Sequence, residues 1–126
     1  MMGMSDEALK IQKLLFDIHK SASKIVDRME GQTEDYFSGP SGEDLQDMIA
    51  RRLGIVGEAA AALIRKHPKF CEEHPEIPFQ QARALRNVLI HDYDGIDWHT
   101  VWMTAKNDLP GLIKAIEPCL DEDTRK

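Results

Sequence analysis

Apolar residues recur in this chain at steps of three and four, and nowhere for long at a step of two. Ile11, Leu14, Leu15, Ile18, Ala22, Ile25 and Met29 trace one stripe of about five helical turns. Leu45, Ile49, Leu53, Val56, Ala60 and Leu63 trace a second, widened by Met48, Ile55, Ala59 and Ala62. Stripes of this kind bury only against other helices, so the pattern excludes a sheet and predicts an all-α chain.

Punctuation divides the helices. Gly31 suits the C-terminal stop of the first. Gly31, Gly39, Pro40 and Gly42 make residues 31–42 a connector, and Ser41 with Asp44 resembles a capping box for a second helix from about Gly42 to Ile64. Gly54 and Gly57 each weaken that helix by roughly 1 kcal/mol relative to Ala, which close approach of a neighbouring helix would offset. Pro68, Pro75 and Pro78 mark residues 65–78 as a second connector. Pro78 suits the first turn of a third helix, which carries Ala82, Leu85, Val88 and Leu89 and should end near His91. Gly95 breaks the chain and Asp97 can cap a fourth helix bearing Trp98, Val101, Trp102 and Ala105, with both tryptophans in the core. Pro110 is expected to break this last helix, with Leu112, Ile113, Ile116 and Leu120 continuing the pattern and a frayed tail from Asp121. The expectation is an antiparallel four-helix bundle, one domain over residues 1–126.

No apolar run approaches the roughly 20 residues of a membrane span. The start of the chain lacks a secretory pattern. Cys71 and Cys119 are too few for a disulfide framework, so both are expected as reduced thiols in a cytoplasmic protein. The net charge of −6 speaks against non-specific nucleic-acid binding. That charge is uneven. Residues 51–91 hold seven Lys and Arg against four acidic residues, a net of +3, whereas residues 1–50 carry −5 and residues 92–126 carry −4. A basic segment inside an acidic chain is either chance solvated charge or a site for anions.

Residues 86–93, Arg-Asn-Val-Leu-Ile-His-Asp-Tyr, lie in that segment and its boundary. Arg86 is a permanent cation, and His91 changes charge near neutrality. On a helix, Asn87 and His91 share a face, and Arg86 lies about 140° around from His91, within reach of the same pocket. A histidine at the negative end of a helix dipole favours its protonated form. The set supplies a proton carrier and a clamp for phosphate charge. An Arg and a His near a helix end also commonly do no more than cap and solvate it.

Arg86-x4-His91-x-Tyr93 resembles the signature of the HepT-like family in the HEPN superfamily. Flanking residues resemble it too: Gly57-Glu58-Ala59-Ala60, His74-Pro75-Glu76-Ile77-Pro78, Leu85-Arg86-Asn87, Tyr93-x-Gly95-Ile96-Asp97, Val101-Trp102 and Asp108-Leu109-Pro110. The resemblance spans about residue 8 to residue 120. It implies a HEPN-like helical bundle forming a homodimer, its two motifs facing each other across a cleft. It implies a metal-independent endoribonuclease, the toxin of a type VII toxin–antitoxin pair, without a cofactor or catalytic metal. The implied antitoxin is an MntA-like nucleotidyltransferase that silences the enzyme by AMPylation of the motif tyrosine, here Tyr93. Carried onto this chain, His91 would move the 2′-hydroxyl or leaving-group proton, Arg86 would stabilise phosphate charge, and Asn87 would orient His91 or donate to a phosphate oxygen. Two departures stand out. Phe79 occupies a place where many relatives have Trp, and Asp92 and Asp94 bracket Tyr93 with charge that opposes RNA or serves recognition by the partner.

Other groupings are weaker. His67, Cys71 and His74 make a His-x3-Cys-x2-His cluster with no evident fourth zinc ligand, and the prolines around it read as an ordinary loop. Glu58 is either a salt-bridged surface carboxylate or a polar partner for Arg86 or Arg83, the structural role being favoured. Arg51 and Arg52 could line an RNA path, a solvated face or a dimer contact, while His19 and His99 belong to no constellation. The alternative function is non-catalytic: a dimeric helical nucleotide-binding module, or the accessory subunit of a nucleotidyltransferase.

Overall fold

The computed structural model describes residues 4–90 and 95–121. The stripes become six α-helices: α1 (Asp6–Met29), α2 (Glu34–Ser38), α3 (Glu43–Lys66), α4 (Pro68–Glu73), α5 (Phe79–Ala84) and α6 (Trp98–Ile116). Short 3-10 turns follow at Pro40–Gly42, Leu85–Leu89 and Glu117–Cys119. No strand occurs among the described residues. No helix among them is long and apolar enough to cross a membrane.

Side-chain contacts between helix ends fix the directions. Glu7, near the start of α1, pairs with His67, just past the end of α3, at 3.2 Å. Gln12 and His19 of α1 hold the far end of α6, with His19 Nε2 3.1 Å from Glu117. So α1 runs against both α3 and α6. His74, ahead of α5, reaches Cys119 beyond the end of α6, whereas Asn87, after α5, lines a cleft with Asp97 and Thr100 at the start of α6. Thus α5 and its turn run against α6. The result is an all-α antiparallel bundle with α1, α3, α5 and its turn, and α6 as its rods.

The core is the set of stripes meeting. Leu15, Ile18, Ala22 and Ile25 of α1 are fully buried, as are Ile49, Leu53, Val56, Ala60 and Leu63 of α3. Val101, Ala105, Leu109 and Ile116 complete it from α6. Each large aliphatic side chain so buried contributes about 1.5–3 kcal/mol of transfer free energy. Phe37 is also fully buried, its ring against Trp98 (5.6 Å, edge-on) and Trp102 (5.1 Å). Its neighbours Gly39 and Pro40 read as punctuation and hide this aromatic anchor. Trp102 is buried, and Trp98 is half-buried against the same cluster.

Several local expectations are corrected. Both connectors contain helix. Thr33 caps α2 by accepting from the Tyr36 N–H at 3.1 Å, and Pro68 opens α4 where its missing N–H costs nothing. The Ser41–Asp44 box does not form: Gly42 occupies the N-cap of α3, with no side-chain hydrogen bond there. The third helix is α-helical only to Ala84, then tightens into the 3-10 turn, and Ile90 is extended (φ −104°, ψ 122°). Asn87 and β-branched Val88 are weak helix formers, which lowers resistance to the tighter winding. Asn87 therefore sits on a 3-10 turn, past the end of the α-helix that was expected to reach His91, a residue outside those described. Pro110 does not break α6. Pro110 and Lys106 are both exposed, so water can reach the Lys106 carbonyl that proline leaves without a helical donor, while Leu109 and Leu112 on either side are buried. Gly31 does stop α1, at φ +80°, and the Asp97 carboxylate does cap α6, accepting from the Thr100 N–H at 3.2 Å.

His99, the second residue of α6, joins it to α2 by donating from Nδ1 to Glu34 at 2.5 Å. The hydrogen bond and charge of Glu34 raise the His99 pKa above its ordinary value, with Asp97 adding to the shift. A raised folded-state pKa means the pair stabilises fully below the ordinary imidazole pKa of about 6.5 and loses that contribution as pH climbs through the raised value. The expected result for His99→Gln is a Tm below wild type near pH 6 and a gap that narrows as the pH rises above the ordinary imidazole range. Thermal melts across that range test it; a constant gap would assign the loss to packing.

Candidate functional site

Arg86 stands on the 3-10 turn after α5, anchored from below by buried Leu85. Its stem crosses α3 at Gly57. A Cβ at Gly57 would lie 2.8 Å from the Arg86 Cβ and 3.3 Å from the Arg83 carbonyl oxygen, so only glycine admits this approach. The next residue along α3, Glu58, accepts a hydrogen bond from Arg86 Nη1 in a salt bridge. Glu58 is thus an exposed carboxylate salt-bridged to Arg86, an arrangement that fits both readings considered for it.

The pair sits at a cavity of about 670 Å³ between α1 and α3, whose other lining includes Leu14, Asp17, Arg51 and Ile55. Two guanidiniums and two carboxylates share this wall, so its formal charge balances. Gly54 also lines it, and a Cβ there would meet nothing within 4 Å. Of the two helix glycines, only Gly57 serves a close approach. Arg51 faces this cavity, whereas Arg52 turns inward and donates to buried Ser21 at 3.3 Å.

Asn87 opens onto a different cleft, of about 310 Å³, with Val88, Ile90, Asp97 and Thr100. Arg86 and Asn87, adjacent in sequence, are therefore not brought into one pocket. His91, Asp92, Tyr93 and Asp94 lie outside the described residues.

The connector cluster is split. His67 is buried and pairs with Glu7, while His74 Nδ1 is 3.1 Å from Glu76 and 3.5 Å from the Cys119 thiol. Cys71 and Cys119 are both free, and burial raises the pKa of each thiol. Glu76 and Cys119 carry no sequence signal as partners, being 43 residues apart.

Comparison with known proteins gives this arrangement its class. The family model described as "Ribonuclease HepT-like" matches residues 18–119. The chain is 32% identical over 113 residues to "Putative RNase MJ0125" of Methanocaldococcus jannaschii, covering 89% of this chain and 92% of that protein. It is 31% identical over 107 residues to "Putative RNase MJ1380" of the same organism, covering 85% and 94%. It is 37% identical over 67 residues to "Probable ribonuclease HepT" of Thermococcus cleftensis, covering 53% and 58%. No solved structure gives a significant match. The helical bundle and these matches together define a HEPN-type ribonuclease domain. The chain belongs to the HepT-like family.

The two glycines generate opposite expectations. Gly57→Ala should destabilise by about 1–3 kcal/mol, overpacking against Arg86 outweighing the gain in helix propensity. Gly54→Ala, with open space around it, should stabilise by up to about 1 kcal/mol. Urea denaturation of the two variants measures both signs.

Proposed function

We propose that the protein is a metal-independent endoribonuclease in which Arg86 and His91 act on the RNA phosphodiester. The observation that supports this most is the family match over residues 18–119, which encloses Arg86-x4-His91-x-Tyr93. Placement of Arg86 beside an open cavity, on a turn seated against Gly57, is consistent with a role on a phosphate.

The chemistry needs no metal because RNA carries its own nucleophile. A base removes the 2′-hydroxyl proton, the 2′-oxygen attacks phosphorus, and the bond to the 5′-oxygen breaks as an acid protonates that oxygen. The products are a 2′,3′-cyclic phosphate and a 5′-hydroxyl end. One imidazole is base or acid at a given instant, not both. A homodimer with two motifs across a cleft would supply both forms. Arg86 would exchange Glu58 for the phosphate as charge grows on the equatorial oxygens. Asn87, opening to the other cleft, would orient His91 or donate to a neighbouring phosphate oxygen.

In this reading the protein is the toxin of a toxin–antitoxin pair, with an MntA-like nucleotidyltransferase as antitoxin and Tyr93 as the AMP acceptor. An adenylyl group beside the cleft would place a fixed negative charge where RNA phosphates must approach. The acidic neighbours Asp92 and Asp94 would favour the partner over RNA.

The charge-balanced wall around Arg86 and the acidic chain favour one competing reading, a dimeric module that binds nucleotide or supports a nucleotidyltransferase without cutting RNA. Cleavage separates the two. His91→Ala is expected to lower the single-turnover cleavage rate by 10²–10⁴-fold, and Arg86→Ala by about 10²–10³-fold, with wild-type activity unchanged by EDTA. Wild-type protein that neither slows growth nor cuts RNA without its partner would sink the toxin reading. Incubation with the neighbouring nucleotidyltransferase and ATP should add AMP to Tyr93 by mass spectrometry, and Tyr93→Phe should abolish the adduct.

A further inference from the structure

We propose that His74, Glu76 and Cys119 form a structural site for a zinc-class divalent metal, joining the segment that leads into α5 to the end of α6. Their ligand atoms all lie within 4.8 Å of one another, and no other such group occurs among the described residues. The spacing fits the metal. Zn–N and Zn–S bonds of about 2.0–2.3 Å at tetrahedral angles put neighbouring donors about 3.3–3.6 Å apart. The His74 Nδ1 to Glu76 distance is 3.1 Å, and His74 Nδ1 to Cys119 Sγ is 3.5 Å. Thiolate, imidazole and carboxylate together suit zinc over the hard cations magnesium and calcium.

The donors are held in place before any metal arrives. Cys119 closes a 3-10 turn that contains Pro118. Gln12 clasps that turn from both sides, donating to the Cys119 carbonyl at 2.8 Å and accepting from the Asp121 N–H at 2.8 Å. The His74 ring lies against Phe70, centroids 4.4 Å apart, and the His74 carbonyl accepts from the Ile77 N–H at 3.0 Å. Cys119 and His74 are part-buried, while Glu76 is exposed and leaves room for water as a fourth ligand. On binding, the Cys119 S–H bond breaks and its proton goes to solvent as the sulfur bonds the metal. His74 binds through Nδ1 as the neutral ring, its proton on Nε2. Burial and the charge of Glu76 raise the Cys119 pKa, which keeps the metal-free thiol protonated at neutral pH.

The site stands apart from the ribonuclease reading, and its test does not use cleavage. Full-length reduced protein, stripped with chelator, is titrated with cobalt(II) and followed by near-ultraviolet absorbance, then with zinc. A thiolate-to-cobalt band is expected, displaced by zinc, present in Cys71→Ser and lost in Cys119→Ser. Glu76→Gln changes an exposed side chain and should weaken binding by more than about tenfold, since loss of even an outer-shell partner costs that much. Saturating zinc should raise Tm by roughly 5 °C in wild type and not in Cys119→Ser. Absence of the band, or a band that survives Cys119→Ser or fails in Cys71→Ser, overturns the proposal.

Discussion

The seating of Arg86 on Gly57 is the contact on which fold and site both depend. The missing side chain at Gly57 lets the turn after α5 press against the backbone of α3. Glu58 follows one residue on, which puts a carboxylate within reach of the guanidinium that crosses there. Packing thus fixes the stem of Arg86, and charge fixes its head. A helix propensity loss of about 1 kcal/mol at Gly57 is offset by burial of Leu85 in the turn.

The same geometry sets the electrostatics. An exposed Arg–Glu pair adds little stability, with a usual range of about 0–1 kcal/mol. Its effect here is on availability: Glu58 occupies part of the Arg86 guanidinium through a single Nη1–Oε1 contact. A phosphodiester offers two oxygens that match a guanidinium fork. Asp17 and Arg51 line the same wall, and Asp17 is itself paired with Lys13 at 3.3 Å. Exposed charges farther apart than about 8 Å are largely screened at physiological ionic strength, so close contacts carry most of any attraction for an anion.

The long rods were legible in the sequence because burial repeats along them. Every residue of the main α3 stripe, Leu45 through Leu63, is buried. The short elements were not legible. Phe37 is one fully buried aromatic among glycines, proline and acids, with no periodic neighbour to reveal it. Pro110 was a misleading signal, since exposure to water removes much of the penalty that proline imposes inside a helix. At the site, the Arg86–Glu58 pair was foreseeable as one of two options. The grouping of His74 with Cys119 was not, because it depends on how α6 ends against the other helices.

The end of the third helix changes how the Arg-x4-His spacing should be understood. On an α-helix, four residues forward return near the starting face and five lie about 140° around, so Asn87 and His91 would share a side with Arg86 flanking it. Here the helix ends at Ala84, a 3-10 turn runs to Leu89, and Ile90 is extended. Each residue advances by about 2.0 Å in the turn and about 3.3 Å once extended, against 1.5 Å in an α-helix. The chain therefore leaves Arg86 behind faster than helical spacing would carry it, and Arg86 and Asn87 open onto separate clefts. Any ligand that engages both side chains must therefore span two openings, not settle into one pocket.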